Sequence, residues 1–201
     1  MLTPYSFLAM QIYTQDELKI NIDEFSTQVK KGALFIHPTD TIYGLGCSAL
    51  NNKAVKKLRQ IKHQESQPFS VIAPNKGWIF THCVVPIFAE KWIDRLPGPY
   101  TLILKIKNLD TVAPEVLCGM KTIGVRIPHH WMSRAVSEIG EPIVTTSANI
   151  HGKDYMTNLE SLDPSFKKHL SYIIFEGEKT GKPSTIVHLD DFEREEKVVQ
   201  R

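Results

Sequence analysis

Two periods of apolar residues divide this chain. Leu18, Ile22, Phe25 and Val29 recur at spacings of four, three and four, with charges between them. That is the inward stripe of an amphipathic helix over residues 15–31. Lys30 and Lys31 suit its C-terminal dipole, and Gly32 its stop. Ala54, Val55, Leu58 and Ile61 repeat the pattern for a helix over 53–61 capped by Asn51 or Asn52. Residues 77–96 read as partly helical, with Trp78, Ile79, Ile87, Phe88, Trp92 and Ile93 as core candidates. Residues 130–139 form another helix, stopped by Gly140, and 157–170 a further one with a break near Pro164. Short apolar, β-branched runs lie between the helices, at 33–36, 69–73, 101–107, 122–127, 143–147, 171–175 and 184–189. They read as strands, and 197–200 as one more. Strands alternating with helices predict an α/β domain with one large sheet. The strands at 101–107 and 122–127 have no long helix between them, which predicts a mixed rather than purely parallel sheet.

Composition narrows the class without naming a chemistry. The chain has 201 residues, 42% of them hydrophobic and 23% charged, with a net charge of +2. One domain over 1–201 is the expectation. The charge alone implies neither nucleic-acid nor membrane binding, although a local basic patch is compatible with it. Cys47, Cys83 and Cys118 are far apart and odd in number, which argues against a disulfide framework or a zinc knuckle and for a reducing, cytoplasmic setting. No HExxH spacing occurs, and His129-His130 flank a helix start. No apolar run reaches the roughly 18 residues of a membrane helix, and the N-terminus lacks the basic region of a signal peptide.

The chemistry-bearing residues gather where strands end. The run 143–147 closes in Thr145, Thr146 and Ser147, with Asn149 two positions on. In an extended segment Ser147 and Asn149 face one side, and ligands of open α/β sheets sit beyond strand ends. The stretch 37–46 follows another strand, with Thr39 and Thr41 on one face, Asp40 opposite, and Gly44 and Gly46 allowing a close backbone approach. It matches neither a dinucleotide fingerprint nor a Walker loop. Lys53, Lys56, Lys57 and Arg59 lie outside the apolar stripe of their helix. Lys62 stands at its end before a polar loop, where a lysine reaches a phosphate as a point charge. On the strand 122–127, Thr122, Gly124 and Arg126 share the side opposite Ile123, Val125 and Ile127.

Five segments together carry a resemblance: Pro38-Thr39-Asp40-Thr41-Ile42-Tyr43-Gly44-Leu45-Gly46, Pro97-Gly98-Pro99-Tyr100-Thr101, Gly124-Val125-Arg126-Ile127-Pro128, Thr145-Thr146-Ser147-Ala148-Asn149, and Pro183-Ser184-Thr185-Ile186-Val187. In that order they resemble the YrdC-like family of threonylcarbamoyl-AMP synthases over residues 15–201. The resemblance implies a twisted open mixed sheet with flanking helices, curved around a deep, positively charged cavity. It implies a nucleotidyltransferase that joins L-threonine, bicarbonate and ATP into threonylcarbamoyl-AMP with release of pyrophosphate. Mg2+ would be held mainly by the phosphates rather than by protein ligands. Partner enzymes would then transfer the threonylcarbamoyl group to tRNA. By the same resemblance Thr39, Arg126, Thr145 and Ser184 bind L-threonine, and Lys62, Thr122, Ser147, Asn149 and Arg201 contact the nucleotide. Lys62, Ser147 and Asn149 carry the catalytic burden. No covalent nucleophile is required, because a carbamate meeting the α-phosphate in line needs positioning and charge stabilisation.

The chain also departs from the family pattern. The expected Lys-x-Arg pair is Lys62-His63-Gln64, and the loop to Phe69 is one residue short. Gln64 cannot neutralise a phosphate; Arg59 or His63 are the compensating candidates. The stretch 121–124 is similar to the YciO branch, and no C-terminal extension is expected. A second reading follows: a catalytically weak YrdC/YciO-like module that binds RNA or nucleotide without turnover.

Overall fold

Alternate residues of a strand face opposite sides of its sheet, and here they are sorted into two cores. The computed structural model describes residues 10–191 and 197–200. In chain order the first half runs β1 (Gln11–Tyr13), α1 (Gln15–Ile20), α2 (Ile22–Lys30), β2 (Phe35–His37), β3 (Gly44–Ser48), α3 (Asn52–Lys62), β4 (Ser70–Ile72), α4 (Lys76–His82), β5 (Cys83–Val84) and α5 (Ile87–Asp94). The second half runs β6 (Tyr100–Ile106), α6 (Pro114–Leu117), β7 (Thr122–Arg126), α7 (Met132–Ile139), β8 (Ile143–Ser147), α8 (Pro164–Lys167), β9 (Tyr172–Ile174), β10 (Thr185–His188) and β11 (Lys197–Val199).

The strands form one open sheet in the order β1-β9-β2-β3-β8-β4-β7-β6-β10-β11, with β5 against β6. The expected mixture is present: β2·β3, β3·β8, β4·β8 and β6·β7 are antiparallel, whereas β1·β9, β2·β9, β4·β7 and β6·β10 are parallel. Ile36, Leu45, Val71, Val125, Val144 and Ile173 point to one face, which α3, α5 and α6 cover with Val55, Leu58, Trp92, Ile93 and Val116. Their neighbours Phe35, Ile72, Ile143, Tyr172 and Ile174 point to the other, covered by Leu18, Phe25, Val29, Met132, Val136 and Ile139 of α1, α2 and α7.

That second cover stops short. Further along the same face the register aligns His37 with Gly44 and Ser147, Ser70 with Gly124 and Thr145, and Ile72 with Arg126. Large apolar side chains there give way to glycines, hydroxyls and an arginine, and the uncovered part of the face becomes a hollow.

Several expected elements differ in detail. The helix over 15–31 is two helices, because Asn21 leaves helical geometry at ψ 19 and becomes the cap of both. Thr14 and Glu17 form a capping box at the first. The stretch around Gly44 and Gly46 is a buried strand, unrecognised in sequence because glycines replace the usual β-branched pattern. The helix over 157–170 shrinks to the single turn Pro164–Lys167, since Asn158 and Ser161 bond each other in a local turn. Ile87, a core candidate, is exposed, whereas Ile79, Trp92 and Ile93 are buried. The strand β1 and the short helix α6 were not foreseen.

Candidate functional site

The hollow has a volume of about 310 Å³. Its floor and walls come from strand ends and loops that are distant in sequence. Of the residues singled out above, Thr39, Arg126, Thr145, Ser147 and Ser184 line it, beside Gln64, Ser70 and Thr101. Lys62 and Asn149 are not among the lining residues but touch Ser147 from behind. Thr122 does not reach it: it pairs with Lys105 at the far end of β7, four residues or about 13 Å along the strand from Arg126. Arg201 lies outside the described residues.

The Ser147-Ala148-Asn149 turn rests on a buried ammonium. Lys62, the last residue of α3, is 1% exposed. Its Nζ donates to the Ser147 carbonyl at 2.6 Å, the Asn149 carbonyl at 2.7 Å and Asn149 Oδ1 at 3.1 Å. Burial pushes its pKa down to about 8. The Ser147 hydroxyl donates to the same Asn149 Oδ1. Lys62 therefore places a cation directly beneath the strand tip instead of extending from a loop, as its position in the sequence suggested.

Arg126 is not the solvent-facing arginine that its strand face allows. It is 6% exposed, and its Nη2 donates to Asp40 Oδ1 at 2.6 Å and to Thr41 Oγ1 at 3.3 Å. The other Asp40 oxygen accepts the His129 N–H at 2.8 Å. Asp40 thus orients the guanidinium from a loop 86 residues away, and nothing local in the sequence marks it as that partner. Thr39 Oγ1 donates to the Ile42 carbonyl at 2.7 Å and accepts the Thr41 N–H at 3.1 Å, with the Thr41 hydroxyl 2.9 Å away. A hydroxyl has one proton and two lone pairs, so these contacts use Thr39 to knot the loop behind Asp40. Ser184 lies 2.7 Å, oxygen to oxygen, from Thr101.

The loop after α3 supplies Gln64 and Gln67, and Arg59 shapes it. Its guanidinium donates to the carbonyls of Gln64 at 2.8 Å, Gln67 at 2.9 Å and Glu115 at 2.6 Å, and stacks 4.4 Å above the Phe69 ring. Among basic residues expected outside the stripe of this helix, Arg59 is therefore buried and structural. Neither Arg59 nor His63 lines the hollow, and the Arg59 guanidinium is engaged by three main-chain carbonyls. On the opposite rim, the segment before β10 is pinned by Tyr43 Oη donating to the Gly177 carbonyl at 2.7 Å and Tyr155 Oη donating to the Gly181 carbonyl at 3.2 Å. A Cβ at Gly181 would collide with the Thr41 carbonyl oxygen, so this crossing tolerates only glycine. Tyr43 stands within the 38–46 motif, whereas Tyr155 stands in none of the five segments.

No group of three or more His, Cys, Asp or Glu that could hold a metal ion occurs among the described residues. The walls offer hydroxyls, amides and carbonyls, a donor set suited to a Mg2+ that arrives already bound to phosphates. Cys47 and Cys83 are buried in the core, away from the hollow, and burial raises both thiols, Cys83 to about 12.

Comparison with known proteins places this geometry. Residues 27–201 match the Sua5/YciO/YrdC family profile, described as "Telomere recombination". A Methanocaldococcus jannaschii relative with a provisional threonylcarbamoyl-AMP synthase name is 38% identical over 182 residues, covering 88% of this chain and 84% of its own length. The crystal structure of Pyrococcus abyssi Sua5 complexed with L-threonine superposes with a TM-score of 0.81 at 28% identity, covering 91% of this chain and 55% of that one. The chain thus spans about half the length of that relative. Escherichia coli YciO superposes with a TM-score of 0.82 at 26% identity, covering 96% and 95%. An open mixed sheet with helices on both faces, a hollow at the uncovered strand ends and a family match over most of its length lead to one assignment: the chain belongs to the Sua5/YciO/YrdC family.

Proposed function

We propose that this chain is a threonylcarbamoyl-AMP synthase. One observation carries the reading: Thr39, Arg126, Thr145, Ser147 and Ser184, from four separated segments, converge on a single hollow. Such a hollow suits an amino acid beside a nucleotide. Threonine and bicarbonate combine to an N-carboxylate with loss of water. A carboxylate oxygen then attacks the α-phosphorus of ATP in line, and pyrophosphate leaves. The protein's part is to hold the reactants in register and balance their charge. Arg126 takes the amino-acid carboxylate through its guanidinium fork. Ser147 hydrogen-bonds the nucleotide, while Asn149 holds the Ser147 hydroxyl from behind and Lys62 sets a positive charge beneath their turn. Thr145 and Ser184 shape the pocket for threonine. A Mg2+ bound to the ATP phosphates would supply charge neutralisation there, without a dedicated set of protein carboxylates among the described residues. The product would pass to tRNA threonylcarbamoyl-transfer enzymes in the cytoplasm. No helix of the described residues is long and apolar enough to cross a membrane.

A second reading, an RNA- or nucleotide-binding module with little turnover, is favoured by one feature. Gln64 lines the hollow where the resemblance expects arginine, and Arg59 is committed elsewhere. Pyrophosphate release separates the two. Release that requires ATP, threonine and bicarbonate together is the expected result; ATP binding with no release under any combination would establish the module instead. Gln64→Arg is expected to raise the rate by about one to two orders of magnitude, the worth of one charge-assisted contact. An unchanged rate would show that this position meets no phosphate.

A further inference from the structure

Behind Thr145 in the hollow's wall lies a buried imidazole that the synthase reading leaves without a task. His37 ends β2 and is fully buried. A slot opposite it receives its ring. A Cβ at Gly44 would stand 2.7 Å from the ring, and one at Gly46 3.1 Å from it. These two glycines of β3 therefore exclude side chains where the imidazole lies.

The contacts of the ring determine its tautomer. Nδ1 lies 3.2 Å from the Pro38 carbonyl oxygen. A carbonyl only accepts, so Nδ1 carries the hydrogen. Burial lowers the pKa of the ring to about 4, with Arg126 and His130 adding to the effect, so it is neutral near pH 7. A neutral imidazole with its hydrogen on Nδ1 has a bare Nε2, which can only accept. Thr145 Oγ1 lies 3.3 Å from Nε2, and between those two atoms the hydroxyl must be the donor. With its proton directed into the wall, the Thr145 oxygen offers only lone pairs to the hollow it lines.

We propose that His37 is a positioning residue: by taking the Thr145 proton it makes that hydroxyl an obligate acceptor, matched to an N–H donor on the amino group of the amino-acid substrate. The amino-acid half of this assignment rests on the synthase reading of the hollow. The arrangement gives the site a directional preference. An amino acid presenting its nitrogen to Thr145 gains a hydrogen bond, whereas one presenting an oxygen there meets lone pairs. The carboxylate is thereby steered towards Arg126, which lines the same hollow.

The two nitrogens can be separated by mutation. His37→Gln places an amide oxygen near the position of Nε2 and keeps an acceptor for Thr145. His37→Asn reaches only the position of Nδ1. His37→Asn is expected to raise the KM for threonine about tenfold, on the scale of one neutral hydrogen bond, with the KM for ATP unchanged. His37→Gln is expected to restore most of it. In a Thr145→Val background, His37→Asn should have no further effect on threonine KM, because its only route to substrate is gone. Additive losses, or equal changes in the KM for ATP and threonine, would show a merely structural role and overturn the proposal. Nitrogen-15 NMR of the substrate-free protein provides an independent arm: a neutral ring with hydrogen on Nδ1 from pH 6 to 8 is expected, and hydrogen on Nε2 would also overturn it. If the spectrum shows the Nδ1–H form but the wild type binds no threonine, the synthase reading and the amino-acid match fall while the His37–Thr145 lock stands.

Discussion

Lys62→Met is expected to lower pyrophosphate release by about two to three orders of magnitude, the scale seen when a preorganised electrostatic donor is removed. The reason is geometric. The Lys62 ammonium bridges two main-chain carbonyls and one side-chain oxygen of the Ser147–Asn149 turn within 2.6–3.1 Å. Methionine fills the aliphatic volume but donates nothing. Three acceptors then lose the ammonium; the Ser147 carbonyl keeps the Asn149 N–H and Asn149 Oδ1 keeps the Ser147 hydroxyl, but the Asn149 carbonyl is left without the cation and the turn is held less firmly. Stability should also fall by about 1–3 kcal/mol, read from urea unfolding. Unchanged turnover in a folded Lys62→Met protein would remove this residue from the site.

The same lysine predicts a divergence with pH. Its folded pKa, about 8, lies below the ordinary 10.5 because burial disfavours the ammonium. The unfolded chain therefore binds more protons between those values. The linkage relation then makes the contribution of Lys62 to stability rise as pH climbs from about 8 to 10.5. Over the same window the folded protein loses the cation beneath Ser147. Turnover should decline above about pH 8 while this group favours the fold, so alkaline inactivation should not be accompanied by unfolding from this source.

Arg126→Leu should weaken threonine binding by about 10- to 100-fold, the loss expected for a charge-assisted hydrogen bond. It should also destabilise the protein by about 3–5 kcal/mol, since the Asp40 carboxylate would remain buried without its cation. Both side chains are at most 10% exposed, so solvent screening relieves little of that cost. Calorimetric titration of threonine and urea unfolding measure the two effects separately. Adding Asp40→Leu to Arg126→Leu should recover most of the stability and none of the binding. If the double variant recovers binding as well, Arg126 serves the loop and not the substrate.

These effects were unequally visible in the sequence. The strand 143–147 with its polar tip was legible because β-branched residues run straight into hydroxyls. The alternation at 122–127 placed Arg126 opposite the apolar residues Ile123, Val125 and Ile127, and that face is the one bearing the hollow. What alternation cannot show is coverage. Phe35 and His37 share a face, yet α2 packs on the first while the second sits behind Thr145 of a polar hollow. The partner of Arg126 was hidden because Asp40 stands 86 positions away. Arg59 looked like one more solvated base beside Lys56 and Lys57. Its burial depends on three carbonyls brought near it by the fold. Lys62 was recognised as important, but its place beneath the turn follows from the meeting of α3 and β8, which periodicity does not encode.

The pairing of β1 with β9 bears on how the chain is made. Gln11–Tyr13 lies in register with Tyr172–Ile174, which also pairs with β2. A ribosome would therefore release the first strand long before its neighbour in the sheet is synthesised. Until then the exposed edge of β2 has no native partner, and unpaired edges invite association between chains. Slow translation between these segments should increase aggregation of the growing polypeptide, and a chaperone that shields extended strands should relieve it.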